Sequence, residues 1–129
     1  IYEAILADPK NQVTTGLLTA IRYIKDNRIL PKGFDKVTAD EDISVKGSAD
    51  NDNDFTGGGD QVQYRVKLKD LNGPFQINAA LYYQPIAYRW AQNLDSYKAS
   101  ETNKFVNYYN SMSENSSVVL TSTKMSVMN

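Results

Sequence analysis

Neither cysteine nor histidine occurs anywhere in the 129 residues. That absence excludes thiolate nucleophiles, disulfides, histidine-based triads, His or Cys zinc centres and the C-x-x-C-H attachment of haem. No run approaches the about 18 apolar residues of a membrane helix, and no charged segment followed by an apolar one opens the chain. Fourteen basic residues against fifteen acidic ones leave a net charge of −1, so there is no basic field to draw nucleic acid or an anionic membrane surface. Glutamate is confined to Glu3, Glu41, Glu101 and Glu114, and only Glu41-Asp42 adjoins a second acid. The paired carboxylates of a glycosidase have no evident rigid strand face to stand on, and the reading is of a protein that is not an enzyme.

What remains is β-like. Val62, Tyr64, Val66 and Leu68 alternate with polar residues, and Phe75, Ile77, Ala79, Leu81 and Tyr83 do the same after Asp70-Leu71-Asn72-Gly73-Pro74. Period two with an Asn-Gly turn between predicts an antiparallel hairpin. Residues 1–8 read as a strand ended by Asp8-Pro9. The run Val13 to Lys25 fits helix or strand, and its β-branched residues favour strand. Residues 35–59 are polar and acidic apart from Ile43, Val45 and Phe55, and predict a long surface connection.

After Pro85 the period changes. Ile86, Trp90 and Leu94 suggest a short helix laying Trp90 on the core; Ser100 would cap a second, with Phe105, Tyr109 and Met112 as its apolar stripe. Val118 to Thr121 predicts a last strand, followed by a fraying tail. The fold class expected is mainly β: an antiparallel β-sandwich, Ig-like or jelly-roll-like, of roughly six or seven strands with one or two short helices in the C-terminal third. An α+β sheet with one helix-covered face is the alternative. One domain over 1–129 is expected, as a fragment of a longer protein, because a strand begins at Ile1 without an initiator methionine.

Three groupings could carry chemistry. Asp50, Asp52 and Asp54, with Asp60 after Gly57-Gly58-Gly59, place oxygen ligands at the alternate spacing of a calcium loop. Phe55 and Gln61 stand where an EF-hand has glycine and a bidentate glutamate, and the same composition suits a solvated turn. Asp26 and Arg28, within Lys25-Asp26-Asn27-Arg28 and before Pro31-Lys32-Gly33-Phe34, would either fix a loop or contact a partner. Tyr82, Tyr83, Tyr88, Trp90, Tyr97, Tyr108 and Tyr109 crowd the last third, where core packing competes with a sugar-stacking platform.

Several segments together resemble the C-terminal region of large bacterial multihaem c-type cytochrome-related proteins. They are Ile1-Tyr2-Glu3, Val13 to Leu18, Tyr23 to Asp35, Asp54 to Asp60, Val62 to Val66 and Leu81 to Ile86. The likeness covers most of residues 1–112, and the stretch from Lys25 to Phe34 is its most specific part. It implies a periplasmic or cell-surface parent with its haem motifs upstream. No haem ligand can be placed on any residue here, so the segment itself would be a haem-free accessory domain packing against or orienting the haem-bearing part. A ligand-binding β-sandwich module, for carbohydrate or calcium, is the alternative.

Overall fold

The computed structural model describes residues 1–69 and 71–128. Asp70, the first residue of the expected hairpin turn, lies outside the described residues. Two antiparallel sheets and two α-helices are present, and the chain divides into two compact units, Ile1–Tyr64 and Arg65–Asn129.

In the first unit, β1 (Ala4–Ala7) is the middle strand of a three-stranded sheet, flanked by β2 (Val13–Thr14) and β3 (Arg22–Asp26). The turn after β1 is made by Asp8, whose carboxylate accepts the N–H groups of Lys10 and Gln12, and by Asn11 in the left-handed region at φ 62°. Short polar side chains tolerate that conformation best after glycine. The expected single strand from Val13 to Lys25 is broken in two. At Gly16 the carbonyl accepts the N–H groups of Thr19 and Ala20, making one helical turn before β3 begins. The strand reading holds at Val13–Thr14 and Arg22–Asp26 and fails between them, where the chain turns without forming a helix.

The segment expected to be a surface connection builds the core instead. Backbone bonds in both directions between Asp26 and Lys46 carry the chain back alongside β3, and a 3-10 turn over Ser48–Asn51 follows. Val45, Ala49 and Phe55 form the buried cluster, with Tyr2 and Leu30 packed against it. Phe55 is 2% exposed. An average over a polar stretch hides three well-placed apolar residues, and burial depends on placement rather than on local composition.

In the second unit, β4 (Phe75–Tyr83) pairs antiparallel with β5 (Val118–Val127), from Phe75 opposite Val127 to Tyr83 opposite Val118. The expected hairpin between residues 61–69 and 75–83 does not form: 61–69 carries no strand, and Tyr64 is 87% exposed. A two-residue turn at Asn72-Gly73 would need an N–H from the following residue to close its hydrogen bond, and Pro74 has none. The expected short last strand with a fraying tail is likewise corrected. β5 runs ten residues, because Thr121 to Val127 finds partners along all of β4.

The helices α1 (Tyr88–Leu94) and α2 (Ser100–Ser116) join the two strands and pack on each other. Ala91 and Val106 are their buried residues. Trp90 is 38% exposed and Tyr83 and Met112 are exposed, so the expectation of a core built on these large side chains is overturned. Ser100 is the first helical residue rather than the cap, a place taken by Ala99. Gln84 donates to Ser116 at 2.8 Å, and the Tyr109 hydroxyl donates to the Ile86 carbonyl at 3.2 Å, tying strand end to helix. Among the described residues no helix is long and apolar enough to cross a membrane.

Candidate functional site

Asp52, Asp54 and Asp60 converge: one carboxylate oxygen from each lies within 4.8 Å of the others. Asp50 does not join them; it sits in the 3-10 turn with its N–H bonded to Gly47. The loop returns on itself through paired backbone bonds between Thr56 and Gly59, which carries Asp60 back to Asp54. The glycines have a steric cause. A Cβ on Gly57 would stand 2.4 Å from the Phe34 carbonyl oxygen, and Gly58 adopts φ 93° while donating to Leu30 at 3.0 Å. Glycine meets the close approach at the first position and the left-handed backbone angle at the second.

Asp60 is held from one side. Its Oδ2 accepts the Tyr2 hydroxyl at 2.5 Å, while Oδ1 is enclosed and has no hydrogen-bond partner among the described residues. The bond to Asp60, aided by burial and by the carboxylate's charge, pushes the Tyr2 phenol up to about 12. Asp54 is also raised, by loss of surrounding water first and then by Asp52 and shared bonds with Asp60; the Gln61 N–H pulls the other way. A hard cation placed among the three acids would offset the neighbouring charge that helps to raise Asp54.

A positive charge already serves this loop. The Lys36 ammonium donates to the carbonyls of Ala49, at 3.1 Å, and Asp52, and stands 6.0 Å from the centre of the Phe55 ring. Sequence spacing gave no sign of Lys36, which lies 13 and 16 residues from the two carbonyls it meets; its only signal was a Lys between the apolar Phe34 and Val37.

The second site is the Asp26–Arg28 pair. Arg28 Nε donates to Oδ1 at 2.9 Å and Nη2 to Oδ2 at 2.6 Å, a bidentate fork, and the Arg28 N–H reaches Oδ1 at 3.3 Å. Asp26 is 7% exposed, whereas the Arg28 side chain is 63% exposed and lies 5.9 Å over the Tyr23 ring. The Asp26 bond raises the guanidinium above its already high value. Next to it, Asn27 clamps β1 by accepting the Glu3 N–H and donating to the Glu3 carbonyl. Lys25 adds an ion pair to Glu3 at 3.2 Å.

In the second unit Tyr82, Tyr83, Tyr88, Tyr97 and Tyr108 are exposed, and Tyr109 is half-buried. No family model, curated protein or solved structure matches this chain.

Proposed function

We propose that the chain is a non-catalytic accessory domain, over 1–129, of an exported multihaem cytochrome-type electron-transfer protein. Its partner is the haem-bearing part of the same parent, which it packs against or orients. The observation that supports this reading is the interlock of two segments of the family resemblance, one of them the end of its most specific part, Lys25 to Phe34. Residues 30–34 and 54–60 meet backbone to backbone at Gly57 and Gly58, so these sequence signatures build a rigid turn assembly. The finer fold proposed is the β-sandwich. Phe75, Ile77, Ala79, Leu81 and Tyr83 face Val127, Met125, Thr123, Thr121 and Val118 across the ribbon, and this mostly apolar face suits the inside of one layer.

Sequencing the gene around this segment tests the reading directly. Several C-x-x-C-H motifs in the same open reading frame, and altered haem midpoint potentials when residues 1–129 are deleted, are the expected results. A frame without such motifs overturns it.

A second reading, a β-sandwich module that binds calcium, is favoured by the oxygen-only trio of Asp52, Asp54 and Asp60. Calcium should then raise the melting temperature and Asp60→Asn should abolish the rise. An unchanged melting temperature in calcium and in chelator removes it.

A further inference from the structure

We propose that a cavity beside the Asp26–Arg28 pair binds a small apolar molecule carrying one neutral hydrogen-bond acceptor. The cavity has a volume of about 390 Å³ and is walled by Ile29, Leu30, Pro31, Phe34, Ile43 and Val45. Its size is at the lower end of the about 300–1,000 Å³ of small-molecule pockets, enough for a single ring with a short substituent, and it is open to solvent on the side of the half-exposed Ile29 and Ile43. Ligand pockets are typically apolar with a few convergent polar groups, and here the polar pole is one fork.

The chemistry of that pole selects the ligand. Asp26 occupies Nε and Nη2 of Arg28, which leaves Nη1 with no partner among the described residues. Ser44, also at the cavity, gives its hydroxyl to the Glu41 carbonyl at 2.9 Å and so has no proton to offer. Arg28 is thus the donor that a ligand meets. Its charge is cancelled by the buried Asp26 carboxylate, so an anionic ligand would lose hydration without gaining a net positive field. A carbonyl or amide oxygen loses less water and accepts the same N–H.

Aspartate at position 26 is also costly as a purely structural choice. A buried ion pair is often no more stabilising than an apolar residue of similar volume, and here the guanidinium is largely solvated. The pair borders the apolar wall, where the Arg28 side chain, 63% exposed, keeps its remaining donors open to water or to a ligand.

The test is a nuclear magnetic resonance titration of the full chain with benzamide, benzoate and toluene. Benzamide should shift the amides of residues 26–30 and 43–45 saturably, binding about two- to tenfold tighter than toluene, the worth of one neutral hydrogen bond. Benzoate should bind more weakly than benzamide. Arg28→Lys keeps the ion pair but loses the planar second edge, and should bring benzamide to the level of toluene. Ile43, 56% exposed, can be enlarged without entering the core, and Ile43→Trp should abolish binding of both. Scattered unsaturable shifts, benzoate binding more tightly than benzamide, or unchanged binding in Ile43→Trp would each overturn the assignment. None of these outcomes depends on whether the parent chain carries haem.

Discussion

The two units of this chain divide order and burial between them. Residues 1–64 hold short strands, turns and a 3-10 turn, yet enclose Ile5, Ala7, Val45, Ala49 and Phe55. Residues 65–129 hold the long regular elements, a nine-residue strand, a ten-residue strand and a 17-residue helix, yet bury only Ala91 and Val106 among the described residues. Regular hydrogen bonding satisfies the backbone, but it does not by itself remove apolar side chains from water. The irregular unit achieves the second by crossing its loops over one another.

The largest way to break that contrast is Phe55→Ala. Emptying a site that is 2% exposed should cost about 3–5 kcal/mol in urea unfolding of the first unit. Trp90, the single tryptophan, reports the second unit by fluorescence and should keep its own midpoint. A shared loss of both signals would erase the distinction.

Gly57→Ala should come next, at about 1–3 kcal/mol, since its new methyl group collides with the Phe34 carbonyl. Hydrogen exchange should locate the loosened amides at residues 30–34 and 54–60. Arg28→Ala should cost on the order of 1–2 kcal/mol in the same urea experiment. It leaves the Asp26 carboxylate buried and unpaired, discounted because the guanidinium it loses is largely solvated. In the second unit, by contrast, Val119→Ser changes a side chain that already meets water, and should stay within about 0.5 kcal/mol by thermal unfolding.

Alkaline pH sharpens the comparison in another way. The Tyr2 phenol titrates higher in the folded chain, at about 12, than its ordinary value of 10.0. Its contribution to stability is therefore complete below the unfolded value and disappears as pH rises through the folded one. Alkaline unfolding followed by tyrosinate absorbance should lose that component in Tyr2→Phe.

Legibility in the sequence followed the same division. Period two over Phe75 to Tyr83 and period four after Pro85 correctly announced β4 and the helical segment, because both signals are local. Which strand pairs with β4 is not local: Val118 to Val127 lies along it, while 61–69 carries no strand although the other edge of β4 has no strand among the described residues. Asp26 and Arg28 lie two residues apart, so their contact was readable. Asp60 with Tyr2 and Lys36 with Asp52 span long loops, and no spacing rule reaches across them. The acidic loop showed its composition but concealed that Phe55 within it is the most enclosed large side chain of the first unit.

The β4–β5 ribbon leaves both outer edges without a strand among the described residues, and its nineteen residues include one charge, Lys124. Open edges of uncharged strands are templates for stacking with further copies, and lysine is the usual guard against it. Lys124 is thus the ribbon's one charged guard, and acylation of its amine should favour edge-to-edge stacking of copies, read as increased light scattering at high concentration.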